Sequence, residues 1–556
     1  MLRFTDSRLV AANLVFCRVV KPADDLTIVK SWFQQCLDRH TRCREAYESL
    51  WRDSPRALPS RLLNILHSQG QEICLITEFP QDTQFATLSH CWGQTPVIQT
   101  TSQSLDQYKQ GIQFEALSKT FQDAVVVCRS LEIRYLWIDS LCIVQDDPLD
   151  WEQEGAKMAD IYTGSHLNIS ALAAPDGTGG CFYPRNKSVR LRYASAQTDV
   201  DFIYISKKPT SYELDMARAR LASRAWVLQE IMLPIRSLLF GKDQLHWDCL
   251  ETLQSESLYR HIASRQSEVN DIRQYLIQDI QPESVYGNPS PFVDIFTFWY
   301  RGIEEYTKCN LTKGEDKLPA LGGLSAAFSR RSGCTYVAGL WQEDIVRGML
   351  WEVHEPENTT FPSKYRSPSW SWASINGRVL YQLAMKPFSD ARTVLIEAVR
   401  PEIHRTGQNL FGMVSSGTKL YMTGLVKKFE TALDCNRQYP PGHRPLYPLQ
   451  PWFGDLLEDG KRIGNIHLDE NAVNNPGTEK EVHCLPLYMD EPRKGGSYPD
   501  RVIKSFRIEV LVLEATGETN TYRRLGLGWI DQLLLEDVGK YQDSFEGIEK
   551  IEIILV

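Results

Sequence analysis

Residues 117–143, LSKTFQDAVVVCRSLEIRYLWIDSLCI, decide the fold. In the first half, Leu117, Phe121, Ala124, Val125, Cys128 and Leu131 fall on one helical face. The second half, YLWIDSLCI (135–143), is a nearly continuous apolar run. That is the pattern of a parallel strand covered on both faces. A helix feeding a buried strand is half of a parallel-sheet unit, and the other pieces lie on either side. Upstream, FATLS (85–89) reads as a strand that ends in Ser89, His90, Cys91, Trp92 and Gly93. Downstream, DDPLDWEQEGAKMADIYTGS (146–165) reads as a helix, with Asp147 as N-cap and Pro148 in the first turn. LNISALAA (167–174) reads as a third strand. ASRAWVLQEIML (222–233) reads as a helix capped by Ser223, and RSLLFG (236–241) as a fourth strand. The expected core is α/β, a mostly parallel sheet flanked by helices.

The chain has 556 residues, more than one ordinary core holds. Residues 1–80 read as an N-terminal extension, 81–252 as the α/β domain, 253–330 as a mainly helical connector and 331–556 as a β-rich C-terminal domain. In the extension, SWFQQCLDRHTRC (31–43) reads as a helix with Cys36, His40 and Cys43 on one face. Three zinc ligands fit that spacing, but no fourth is evident nearby, so the favoured reading is a packed helix face and no metal is expected.

Charge and composition narrow the function. The net charge of -9 argues against a DNA or RNA binder that relies on a basic field. No apolar run approaches the roughly 20 residues of a membrane span, and the first residues lack a secretory pattern. Thirteen scattered cysteines then suggest reduced thiols and a cytoplasmic protein. There is no phosphate-binding GxxxxGK[ST], no HExxH and no GxSxG. PDGTGGC (175–181) is glycine-rich without the dinucleotide spacing and reads as a loop.

Ligands of open α/β sheets bind outside the carboxyl ends of the strands. The residues expected there are Ser89, His90, Trp92 and Gly93 from the first strand, and Asp139, Ser140 and Cys142 from the second. The helix after the third strand adds Arg224, Trp226 and Glu230, the last two four positions apart on one face. Together they offer carboxylates, a guanidinium, indoles for stacking and several hydrogen bonders. Glu154 is a rival carboxylate, and Cys91 or Cys142 with His90 is a weaker, thiol-based alternative.

LSHCWG, the 117–147 stretch, DWEQEGAKMADIY and SRAWVLQE resemble, in order, the fungal heterokaryon incompatibility (HET) domain, from about Phe85 to Glu230. LPSRLL upstream and PALGGLS, YVAGLW and SPSWSWAS downstream are also similar to such proteins. The resemblance implies a TIR-like (flavodoxin-like) fold and a role in cell death and allorecognition. It further implies cleavage of NAD⁺ at the nicotinamide–ribose bond, with NAD⁺ or a related nucleotide as substrate rather than cofactor. Glu230 would be the catalytic carboxylate and Asp139 an acidic group of the pocket. Departing from the TIR pattern, an insertion of roughly 175–220 precedes the helix of Glu230. The same resemblance leaves open a non-catalytic module that self-associates or recruits a partner protein.

Overall fold

The computed structural model describes residues 14–17, 24–52, 58–66, 72–93, 97–185, 188–192, 202–257, 262–263, 268–277, 295–355, 358–385, 392–433, 453–469, 480–490, 493–494, 504–535, 540–541 and 544–556. The chain divides into two compact units, Met1–Ile280 and Gln281–Val556. No helix among the described residues is long and apolar enough to cross a membrane.

In the first unit, helices α1 (Thr27–Arg39) and α2 (Thr41–Arg52) precede the antiparallel strands β1 (Leu62–Asn64) and β2 (Glu72–Ile76). Then come β3 (Phe85–Ser89), short β4 (Ile112–Gln113), α3 (Lys119–Ser130), β5 (Tyr135–Trp137), α4 (Pro148–Gly164) and β6 (Leu167–Ser170). After the insertion follow α5 (Val227–Met232), β7 (Arg236–Phe240), β8 (Leu245–Cys249), β9 (Thr252–Ser255), β10 (Ile262–Ala263) and α6 (Glu268–Ile277). The ten strands form one sheet, ordered β10-β9-β8-β7-β6-β3-β5-β1-β2-β4.

The expectation of a mostly parallel sheet needs correction. Only the centre, β7-β6-β3-β5, is parallel; both flanks pair antiparallel. The pairs β1-β2, β7-β8 and β8-β9 are consecutive strands with short connections, which can only be antiparallel, whereas the central four are linked by crossovers; β1 with β5 and β2 with β4 pair antiparallel across longer stretches of chain. From β3 the chain crosses to β5 on one side and then returns to β6 on the other. The crossovers therefore diverge at the carboxyl ends of β3 and β6, where Ser89 pairs with Ser170.

Two elements are shorter than their apolar patterns suggest. The strand at 135 stops at Trp137, and Asp139–Cys142 forms one helical turn that buries Leu141 and Cys142. The helix expected over 222–233 is broken: Leu221–Ser223 is a 3-10 turn, Arg224 is extended and α5 begins at Val227. Ser223 is therefore not its cap. Asp147 does cap α4, accepting from the Leu149 and Asp150 amides.

The second unit begins with α7 (Ile295–Thr307) and α8 (Pro319–Ser332). Its β-rich part holds β11 (Lys427–Leu433), β12 (Phe453–Glu458), β13 (Lys461–Leu468), β14 (Lys480–Asp490), β15 (Lys504–Ala515) and β16 (Thr521–Leu535). They pair in the circuit β11-β12-β13-β16-β15-β14-β11, so these six strands close on themselves. Closure removes the exposed edges of an open sheet. Phe429, Leu456, Ile466, Val482, Val510 and Ile530 form their shared core. The tryptophans of SPSWSWAS are also core. Trp372 donates to Gly339 O at 2.9 Å, and Trp370 O accepts from Trp351 at 3.0 Å.

Candidate active site

The divergence of the crossovers gathers the polar residues. Ser89 and Thr87 of β3 donate to Asn168 Oδ1 of β6 at 3.1 and 3.0 Å. The Asn168 amide donates to Glu230 O at 3.1 Å. One asparagine thus ties both strands to α5 and fixes where Glu230 lies. Its carboxyl is buried among Ser89, Tyr162 and Asp139. Burial pushes Glu230 up from its ordinary value to about 7, and the negative charge of Asp139 adds to the rise. Arg224 and the Ser89 and Tyr162 hydroxyls oppose it. Burial, with the charges of Glu230 and Asp139, holds the Tyr162 phenol protonated well above its usual range. Tyr162 is therefore a donor throughout the physiological range, and sequence reading had not singled it out. It lies on the buried face of α4, where an aromatic residue reads as ordinary core.

The loop after β3 is tied to the same group through Asp139. Trp92 Nε1 donates to Asp139 Oδ2 at 2.8 Å, and the His90 ring stacks near-parallel to the indole. His90 Nδ1 lies 3.7 Å from Asp139 Oδ1. Burial pushes His90 below its ordinary value, so the ring is neutral near pH 7 although Asp139 pulls the other way. Arg224 Nη1 donates to His90 O at 2.7 Å, which joins the approach to α5 to the same loop. Gly93 sits at φ +67, and a Cβ there would meet Asp176 Cβ at 2.2 Å. The loop bearing Asp176 is anchored on α3, where Asp123 accepts from the Cys181 amide at 2.7 Å.

Three buried polar atoms here have no partner among the described residues: His90 Nε2, Ser140 Oγ and Ser170 Oγ. Trp226 packs edge-on against Trp151, with ring centroids 5.6 Å apart. Cys142 is fully buried, and burial pushes its thiol up to about 12; burial also raises the Cys91 thiol. Both are poor nucleophiles, which disfavours the thiol-based alternative. Glu154 lies elsewhere, accepting from Ser60 N and Oγ at 3.1 and 2.6 Å and from Lys157 at 2.7 Å. Arg61 beside it reaches Cys142 O at 2.7 Å and Asp150 at 2.6 Å. LPSRLL therefore fastens β1, an interior strand of the sheet, to α4 and to the turn after β5.

Residues 85–230 match the family described as heterokaryon incompatibility protein (HET). The chain carries a HET domain. The match begins at the first residue of β3 and ends at Glu230, the span that encloses the cluster above. That domain supports a function of the heterokaryon-incompatibility type. No curated protein and no solved structure matches the chain.

Proposed function

We propose that the HET domain cleaves NAD⁺ at the nicotinamide–ribose bond, with Glu230 as the catalytic carboxylate. The observation that carries this reading is a buried carboxyl, held near neutrality, at the point where the crossovers diverge. The parallel strands run 2-1-3-4 in chain order, the arrangement of flavodoxin-like sheets, and their ligands bind at that switch point. This supports a TIR-like reading of the domain.

The chemistry needs little more than is present. The C1′–N bond breaks, its electrons pass to the pyridinium nitrogen, and neutral nicotinamide leaves without a general acid. Positive charge develops on the ribose, as in glycoside hydrolysis. An ionised Glu230 stabilises that charge through a fixed, poorly solvated contact. With its acidity near 7, it is also suited to take the proton of the water that adds to C1′. Tyr162 and Ser89 would hold the carboxylate in place. Arg224, anchored to His90 O, would face the pyrophosphate. Trp92 or Trp226 would stack on a ring, and His90, Gly93, Asp139, Ser140 and Cys142 would complete the walls.

The test is nicotinamide release from NAD⁺ by the purified full chain, dilute and at crowded concentration, beside Glu230→Gln. The expected result is turnover that falls about 100-fold or more in the variant. Turnover retained by Glu230→Gln overturns the assignment. Self-association without turnover at any concentration would instead support an assembly module that recruits partners.

A further inference from the structure

We propose that Cys36, His40, Cys43 and Cys249 bind one zinc ion that fastens α1 and α2 to the end of β8. The four side chains come from both sides of the HET match and lie outside the residues assigned to the Glu230 site. Their ligand atoms all lie within 4.8 Å of one another, and all four residues are buried. Zinc with sulfur at about 2.3 Å and nitrogen at about 2.0 Å puts tetrahedral ligand atoms roughly 3.3–3.8 Å apart. Cys249 Sγ and His40 Nδ1 already stand 3.3 Å apart. The cluster is thus within about 1 Å of a closed tetrahedral shell.

The local fold explains the first three ligands. Cys36 lies in the last turn of α1, His40 is the residue at which α1 gives way to α2, and Cys43 lies in the first turn of α2. The break at His40 turns a single-helix spacing into a knuckle around one point. Cys249, the last residue of β8, arrives from 209 positions beyond His40 and supplies the ligand missing from the local sequence.

A second observation points to charge on the sulfurs. Arg236 is buried, and among the described residues no carboxylate pairs with it. Its Nε donates to Cys36 Sγ at 3.3 Å, its Nη2 donates to Cys43 O at 3.4 Å, and its guanidinium lies over the Tyr47 ring. A buried guanidinium without a counter-charge is costly. Three thiolates and a neutral imidazole around a divalent ion carry one net negative charge, which Arg236 would balance. With four protein ligands and no access to solvent, the site would be structural rather than catalytic.

The experiment is metal analysis of the full chain, purified without a polyhistidine tag or chelators, by inductively coupled plasma mass spectrometry. One zinc per chain is expected, released when a mercurial reagent titrates the thiols and detected with a metallochromic dye. Cys249→Ser should lose zinc, Cys249→His should keep it, and Cys128→Ser, which alters a buried cysteine outside the cluster, should not change it. If Cys249→Ser fails to fold, the wild-type release titration and Cys249→His still decide. Four outcomes overturn the proposal: iron in place of zinc; little bound metal with no uptake of Zn²⁺ or Co²⁺ after reduction; a disulfide among the three cysteines; or alkylation of these thiols as fast as exposed ones.

Discussion

The Trp92 indole donates to Asp139 Oδ2 at 2.8 Å, while Asp139 Oδ1 accepts from the Ser140 amide at 2.7 Å. One carboxylate therefore pins the loop leaving β3 to the turn leaving β5. Trp92→Phe keeps an aromatic ring beside His90 and removes the donor. Asp139 is a quarter exposed, so water replaces part of the bond, and a loss of about 1 kcal/mol is expected in urea unfolding. Asp139→Asn with Trp92→Phe should cost less than the two singly, because they share one interaction. Strict additivity would show that the two do not couple.

Glu230 gives a pH signature with a definite sign. Its acidity is weakened in the folded protein, from an ordinary 4.5 to about 7, so the native state binds the extra proton between those values. Stability must then fall as pH rises from about 4.5 to 7 and stay reduced above. Glu230→Gln removes that burden. At pH 8 the variant should be more stable by an amount bounded at about 3 kcal/mol, and the advantage should vanish below pH 4.5. Thermal melts of both proteins across this range check it. A variant less stable at pH 8 would mean that the charged carboxylate is better solvated than its burial implies. Turnover of the wild type should rise through pH 7 as Glu230 ionises.

Much of this site was legible because buried central strands write themselves as short apolar runs, and polar residues at their ends stand out. LNISALAA was legible as a strand, FATLS through the alternation of Phe85, Thr87 and Ser89 with Ala86 and Leu88, and the site candidates followed from the rule on carboxyl ends. What was not legible has physical causes. In YLWIDSLCI the strand gives way to a helical turn at Asp139, and a short apolar run has no period that distinguishes the two. The antiparallel flanks, such as LHWDC in β8, are as fully buried as the parallel centre, so their direction leaves no mark on composition. Tyr162 and Cys249 matter through residues distant in sequence, Glu230 for one and His40 for the other.

Gly93 is held in place by conformation and by space. At φ +67 an L side chain is strained, and its Cβ would also sit 2.2 Å from Asp176 Cβ. Gly93→Ala should therefore cost more than 1 kcal/mol and displace the wall carrying Trp92. Adding Asp176→Gly should recover the steric part alone, leaving the cost of the left-handed backbone. Full recovery would show that strain at Gly93 is negligible, and no recovery would show that the Asp176 contact is.

Glu154 and Glu230 are both buried carboxylates, yet their surroundings assign them opposite roles. Glu154 accepts from the Ser60 amide and hydroxyl and pairs with Lys157, so its charge is neutralised and its bonds are made before any ligand arrives. Glu230 has hydroxyls beside it, with the like charge of Asp139 close by. Glu154→Gln sets an amide NH₂ against the Ser60 N–H or hydroxyl and leaves Lys157 with the Ser60 hydroxyl but without its counter-charge. The expected cost is about 2–3 kcal/mol in denaturant unfolding. In the fraction that remains folded, the pH profile of any NAD⁺ turnover should be unchanged. Intact stability with lost turnover would reverse the assignment and move the chemistry from α5 to α4.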